Sequence, residues 1–99
     1  MIFVLEISLE AKEQLVKLKK SPSLEKHYKA VIKAINYLKT NPRHSSLNVH
    51  LFDSALGPLG EKVWEAYAEN NTPGAYRIFF SYGPKKQMIS IIAVLPHPD

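Results

Sequence analysis

Three consecutive runs in the second half of the chain decide the fold: KVWEAYAE (residues 62–69), AYRIFFSY (residues 75–82) and QMISIIAVL (residues 87–95). Each run is rich in β-branched or aromatic residues, which favour strands. Short segments containing Asn, Gly or Pro separate them, at residues 70–74 and 83–86. This arrangement predicts an antiparallel meander with tight turns. The third run is almost continuously apolar, which is typical of a strand covered on both faces.

The first half predicts one strand and two helices. Residues 2–7 form a short β-branched and aromatic run, which indicates a strand. Residues 9–20 and 22–40 have apolar residues at helical intervals of three and four, and Ser8 and Ser21 precede them as candidate N-caps. The stripe of the second helix consists of Leu24, Tyr28, Val31, Ile35 and Leu38.

The order strand, helix, helix and three strands predicts an α+β fold. We expect a single domain over residues 1–99, with an antiparallel-rich four-stranded sheet and an N-terminal helical hairpin on one face. The other sheet face, called the open face below, is left for a ligand or partner. Residues 42–61 form a connection of 20 residues without long periodicity, and connections of that length are often functional. Alternating Leu47, Val49 and Leu51 predict that part of it is extended and packed.

Composition narrows the class of protein. The 99 residues are 45% hydrophobic and 22% charged, which excludes a wholly disordered chain. No apolar stretch is long enough for a membrane span, and the start does not resemble a signal peptide. Cysteine is absent, which fits the reducing cytoplasm, so we expect a cytoplasmic protein.

Positive charge is concentrated in the first half of the chain. The net charge is +4, with nine basic and four acidic residues at 1–50, and four basic and five acidic residues at 51–99. This distribution is compatible with a polyanionic partner. Charge alone favours the simpler alternative, a solvated, lysine-rich helix surface.

Arg77 is the first candidate for a functional site. Alternation along the middle run places it with Phe79 on the open face, because the other set of side chains forms the core. Guanidinium binds phosphate with two hydrogen bonds, so Arg77 is a candidate phosphate contact. The alternative is a structural ion pair with Glu65 or Glu69.

His97, Glu65 and Tyr67 are further candidates. His97 follows the last run, and imidazole transfers protons near neutral pH; the alternative is an exposed tail residue. Glu65 could accept a proton, and Tyr67 could stack on a base; otherwise both are surface residues. His44, His50 and His97 match no metal-ligand spacing, and no nucleotide-binding loop is present, so no metal site or cofactor is predicted.

Several segments resemble the RelE/ParE superfamily of bacterial toxins. These are RHSSLNVHL (residues 43–51), VWEA (residues 63–66), GAYRIFF (residues 74–80) and IIAVLPHPD (residues 91–99). The Tyr-Arg strand is the most specific of them. The similarity spans the whole chain, including the order of strand, two helices and three strands.

The resemblance implies the toxin component of a type II toxin–antitoxin system, acting as a ribosome-dependent mRNA endoribonuclease that inhibits translation. By position, Arg77 matches the strand arginine that stabilises the phosphate, and His97 matches a last-strand residue that moves a proton. Glu65 and Tyr67 replace strand lysines of some members. Either could orient the attacking 2′-hydroxyl or accept its proton, at the end of the reaction centre away from His97. Tyr67 and three lysines are the expected RNA contacts: Lys62, Lys85 and Lys86.

The resemblance also implies the partners. We expect a cognate antitoxin that covers the open face or packs on the helices, mRNA on the ribosome, and a homodimer or toxin–antitoxin hetero-oligomer, with no membrane association. Three alternatives remain: a ParE-like gyrase inhibitor, a catalytically inactive protein-binding member, and an unrelated scaffolding domain whose lysine-rich helices face acidic partners. Substitution of Arg77 by Ala is expected to abolish activity without unfolding the domain.

Overall fold

The computed structural model describes residues 2–97, which form two helices and a five-stranded sheet. The sheet order is β1-β5-β4-β3-β2, with β1 parallel to β5 and every other pair antiparallel. The predicted α+β class and the meander of the last three strands are therefore confirmed. In chain order the elements are β1 (Val4–Ile7), α1 (Leu9–Lys20), α2 (Glu25–Thr40), β2 (His50–Leu56), β3 (Lys62–Tyr67), β4 (Tyr76–Tyr82) and β5 (Met88–Pro96).

The predicted number of four strands is wrong, because β2 forms inside the segment that we expected to be a connection. Its Leu51 pairs with Trp64, so β2 extends the sheet beyond β3 as an edge strand. The alternation that begins at Leu47 does not mark this strand. Leu47 instead ends a 3₁₀ turn, and Asn48 follows in the left-handed conformation with φ of 45°. Beyond Phe52 the strand consists mostly of exposed residues, so its periodicity is weak.

The first helix begins where the sequence predicts. The Ser8 hydroxyl accepts a hydrogen bond from the Ala11 N–H at 3.0 Å, which caps the helix, and donates to the Ile92 carbonyl of β5 at 2.7 Å. Ser21 makes no side-chain cap, and residues Pro22–Leu24 form a separate 3₁₀ turn before α2. Within residues 2–97, neither helix combines the length and apolar character that a membrane span requires.

Both helices pack on one face of the sheet. Ile78 and Phe80 of β4 are completely buried in this core, as the alternation along the strand predicts. A bulge in β5 places Ile92 between the partners of Phe79 and Phe80. The remaining fully buried large side chains of the core are Leu18, Val31, Leu38, Leu47, Ile89, Ile91 and Val94. The helices thus leave the opposite, open face for the site described next.

Candidate active site

Arg77 lies on the open face, but it is less open than the sequence predicts. Only 9% of the residue is exposed. Tyr67, its cross-strand neighbour, covers the guanidinium with its ring centroid 3.8 Å from Cζ. Tyr67 was predicted to stack on a base, and in the structure it stacks on Arg77. Burial of this cation therefore comes from its own sheet face and not from the helices.

The contacts of Arg77 combine an ion pair with a single short hydrogen bond. Its Nε lies 3.8 Å from Oε2 of Glu65, and the two side chains are only 11% and 12% exposed. Nη1 donates to the Glu69 carbonyl at 2.7 Å. The alternative of an ion pair with Glu65 is thus present, whereas Glu69 contributes its backbone. Among the described residues, the buried Nε has no hydrogen-bond partner, although it faces the Glu65 carboxylate.

His50 brings proton-transfer chemistry to Glu65. Its Nε2 lies 2.7 Å from Glu65 Oε1, and its Nδ1 lies 2.7 Å from the Asn48 carbonyl. A carbonyl only accepts, so Nδ1 carries a proton. Nε2 then either donates to a carboxylate as part of an imidazolium or accepts from a carboxylic acid. His50 and Glu65 therefore form an imidazole–carboxyl pair within hydrogen-bond distance, which is an arrangement that general acid–base catalysis uses.

Sequence reasoning considered His50 only as a metal ligand. The sequence did not predict β2, and His50 meets Glu65 only because the two residues are directly paired across β2 and β3. The ring of His50 also meets the edge of Tyr67, with centroids 5.5 Å apart. His50, Glu65, Tyr67 and Arg77 form one contiguous group, called the Arg77 cluster below.

Glu69 ties the Arg77 cluster to the second helix. Because β3 ends at Tyr67, the Glu69 side chain is not on the open face. Its Oε1 lies 2.7 Å from Nδ1 of His27 on α2 and accepts the Tyr76 N–H at 3.1 Å. Burial, and secondarily the Glu69 charge, raise the pKa of Tyr76 above its usual value. The carbonyl that binds Arg77 is therefore positioned by contacts on both sides of the sheet.

The structure brings His97 to the same end of the sheet as Arg77. Its backbone N–H donates to the Ala75 carbonyl at 2.7 Å, directly after β5. His97 and Arg77 line one shallow cavity of about 350 Å³, together with the turn at residues 71–73. This cavity gives access to the guanidinium beside an imidazole. Residues 98–99 of the segment that resembles toxins lie outside the described residues.

The three predicted RNA-binding lysines lie at the other end of the sheet. Lys62 begins β3, while Lys85 and Lys86 lie in the turn between β4 and β5; all three are exposed. Because Trp64 pairs with Phe80, the start of β3 lies beside the end of β4. Lys62 is thus about 16 Å along β3 from Tyr67, at roughly 3.3 Å per residue. The structure does not unite these lysines with the Arg77 cluster. In the described part of the chain, no three His, Asp or Glu side chains converge to hold a metal ion.

Comparison with solved structures identifies the fold. A chain of the archaeal RelE–RelB complex from Pyrococcus horikoshii OT3 is 20% identical with a TM-score of 0.64, covering 97% of this chain and 96% of that one. The YoeB/ParE toxin from Agrobacterium tumefaciens is 12% identical with a TM-score of 0.67, covering 96% and 99%. The YoeB dimer from Staphylococcus aureus is 13% identical with a TM-score of 0.64, covering 99% and 100%.

These similarities confirm the resemblance to RelE-like toxins at the level of the fold. They extend over nearly the whole chain, so both helices and the sheet belong to the shared architecture. No protein-family model and no curated protein matches the sequence.

Proposed function

We propose that this protein is the toxin of a type II toxin–antitoxin system and cleaves mRNA on the ribosome in the cytoplasm. The observation that carries the proposal is the Arg77 cluster, in which a buried cation, a carboxylate and an imidazole meet on the open face. Its occurrence in a fold shared with RelE and YoeB toxins supports this function.

The reaction requires a proton acceptor, a proton donor and positive charge at the phosphate. The 2′-hydroxyl of RNA attacks the adjacent phosphorus, and its proton passes to Glu65, which His50 orients. The bond from phosphorus to the 5′-oxygen breaks, leaving a cyclic phosphate, and His97 donates a proton to that oxygen. Arg77, which lines the same cavity as His97, stabilises the charge that accumulates on the phosphate.

A non-catalytic toxin is the second candidate, and the burial of Arg77 favours it. The guanidinium is covered by Tyr67 and paired with Glu65, which are contacts that a purely structural arginine also makes. In this alternative the open face binds a protein target such as gyrase, or the protein only binds its partner. RNA cleavage and inhibition of supercoiling distinguish the two candidates.

An antitoxin is the proposed protein partner. The matched P. horikoshii structure is a RelE–RelB complex, and the S. aureus structure is a YoeB dimer. By analogy, we propose that an antitoxin segment covers the open face and that the free toxin forms a dimer. The exposed apolar side chain of Leu95, which is paired with Arg77 across β4 and β5, provides surface on that face for such a segment.

The test is mRNA cleavage on translating ribosomes, mapped by primer extension. Substitution Glu65→Gln keeps the size of the side chain but removes the proton acceptor, and His97→Ala removes the donor. Each is expected to slow cleavage by roughly 10²- to 10⁴-fold. Glu10→Gln, on the exposed first turn of α1, is the matched control and retains full activity.

The pattern of losses decides between the candidates. Slow cleavage in both variants, with unchanged circular dichroism, supports the nuclease. Absence of cleavage by the wild-type protein, together with inhibition of gyrase supercoiling, supports the second candidate. Full activity in both variants of a cleaving protein would place the site elsewhere, and Lys26, Lys29 and Lys33 of α2 would be tested next.

A further inference from the structure

A second cavity lies on the helix side of the sheet, on the face opposite to the Arg77 cluster. Its volume is about 690 Å³, within the range of roughly 300–1,000 Å³ that is typical of small-ligand sites. It opens between the end of α2, the segment that leads into β2, the start of β3 and the end of β4. The lining residues used below are Phe3, Arg43, His44, Trp64 and Tyr82. We call it the Arg43 cavity.

Aromatic rings form one wall of the Arg43 cavity. Trp64 and Tyr82 meet edge to face, with centroids 5.9 Å apart, and Phe3 lies 6.3 Å from Tyr82. Tyr82 is 44% exposed, although its neighbour Phe80 is fully buried. Accessible aromatic rings of this kind are the surfaces on which unpaired bases stack.

The cavity is also lined by a cation that has no carboxylate partner among the described residues. Arg43 is exposed, and its side chain makes no ion pair within residues 2–97. Its charge acts on Tyr82: burial raises the pKa of that phenol, and Arg43 partly opposes the shift. His44 stacks on Tyr37, with centroids 3.9 Å apart, which fixes the orientation of its ring. Among residues 2–97, no acidic side chain lines the cavity.

The lysines that are distant from Arg77 add to the positive charge around this cavity. Lys62 begins β3 two residues before Trp64, and Lys85 and Lys86 follow Tyr82 in the next turn. A cluster of cations beside accessible aromatic rings is characteristic of sites for single-stranded nucleic acid.

We propose that the Arg43 cavity binds one nucleotide of single-stranded RNA, with its base against Trp64 and Tyr82 and its phosphate on Arg43. The choice of RNA over other polyanions rests on the proposed function. The site is separate from the Arg77 cluster, because Arg77 and Tyr82 lie at opposite ends of β4 on opposite faces of the sheet. It holds the RNA and takes no part in the cleavage step.

Trp64 makes the proposal directly measurable, because it is the only tryptophan in the chain. The probe is a short oligoribonucleotide in which every 2′-hydroxyl is methylated, so it cannot be cleaved by attack of that hydroxyl. We expect it to quench the fluorescence of Trp64 on binding. Arg43→Ala and Tyr82→Ala should each weaken binding by about tenfold or more, since stacking and charge-assisted contacts are each substantial. Tyr82→Phe keeps the ring, and Lys26→Ala removes an equal charge elsewhere, so both should bind like the wild type.

The outcomes separate this proposal from the proposed function. If quenching survives His97→Ala and Glu65→Gln but is lost in Arg43→Ala, the cavity is a binding site independent of cleavage. Quenching by a protein that cleaves no mRNA would refute the nuclease and leave the cavity standing. Absence of quenching in the wild type, or equal affinity of Arg43→Ala, would overturn the inference. So would equal quenching by polyphosphate or polyglutamate, because neither contains a base and the second represents an acidic protein partner.

Discussion

The chain contains two arginines, Arg43 and Arg77, and the structure places them in opposite environments. Arg77 is 9% exposed, stacked by Tyr67 and paired with Glu65. Arg43 is exposed at the rim of a cavity and lacks an ion pair throughout the part of the chain that the structure describes. One arginine is therefore part of a packed cluster at one end of the sheet, and the other arginine is accessible at the opposite end.

The difference in burial between the two arginines follows from the negative charge and the hydrogen-bond acceptors near each of them. Glu65 contacts Arg77 through its side chain and Glu69 through its carbonyl, whereas none of the acidic residues that the structure describes lines the Arg43 cavity. Burial of a cation is tolerated only where counter-charge and hydrogen bonds replace water. Substitutions at Arg77 should therefore affect stability as well as chemistry, and those at Arg43 should affect binding alone.

The largest expected effect is the loss of stability in Arg77→Ala. Removing Arg77 from this buried ion pair leaves the Glu65 carboxylate with only His50 in contact, which costs about 3 kcal/mol or more. Arg43→Ala should change the free energy of unfolding by less than about 0.5 kcal/mol, as is usual for exposed residues. Urea denaturation of the three proteins measures the difference. This expectation replaces our sequence-based one, that Arg77→Ala leaves the folded domain intact.

A double substitution tests the cause. Glu65→Leu combined with Arg77→Met removes both charges, and it should be more stable than Arg77→Met alone because no buried charge remains. His50 loses its partner in this variant, but its side chain is 41% exposed and water can replace Glu65. If the double variant were less stable than the single one, packing rather than charge would explain the cost of losing Arg77.

The same contrast shows how far sequence patterns reach. The stripe of α2 and the alternation in β4 predict elements correctly, because each element buries one face against a common core. The open-face position of Arg77 also follows from alternation. Its burial does not, because Tyr67 and Glu65 cover it from a neighbouring strand, and the sequence does not specify rotamers.

Two contacts of the candidate site could not be predicted because they depend on elements distant in sequence. His50 and Glu65 are 15 residues apart and meet only because β2 pairs with β3. His27 and Glu69 are 42 residues apart and meet because β3 ends before Glu69, which turns its side chain towards α2. Neither feature leaves a clear periodic signal in the sequence. The edge strand β2 has few apolar residues, and the alternation of side chains reverses where β3 ends.

Glu69 should have an intermediate effect. In Glu69→Ala the partly buried Tyr76 N–H loses its acceptor and His27 loses its partner, so the expected cost is about 1–3 kcal/mol. Glu61 is the matched control, because its carboxylate accepts the Leu59 N–H at 2.8 Å in an exposed turn where water can substitute. Glu61→Ala should therefore cost less than about 0.5 kcal/mol. Equal losses of stability in Glu69→Ala and Glu61→Ala, measured by thermal unfolding, would mean that Glu69 does not hold the turn after β3 against α2.

The smallest expected effect is on the pH dependence of stability. It involves Tyr76 and Tyr82, which lie at opposite ends of β4. The pKa of both Tyr76 and Tyr82 is raised in the folded protein, mainly by burial. Their contribution to stability is therefore complete below the unfolded pKa of about 10 and is lost as the pH rises through the folded value, because the unfolded chain releases these protons first. Tyr76→Phe and Tyr82→Phe should each flatten the alkaline fall in the free energy of unfolding.

Arg43 provides the discriminating measurement at these two tyrosines. Its charge opposes the rise at Tyr82, whereas Glu69 adds to the rise at Tyr76. Arg43→Ala should therefore raise the pKa of Tyr82 further and leave that of Tyr76 unchanged, while Glu69→Gln should lower the pKa of Tyr76 alone. Ultraviolet difference titration, with each Tyr→Phe variant to assign the signals, measures both. A shift of Tyr82 that is indifferent to Arg43 would mean that the guanidinium does not stay beside the ring, and the cavity would then lack the fixed cation on which its affinity for a phosphate depends.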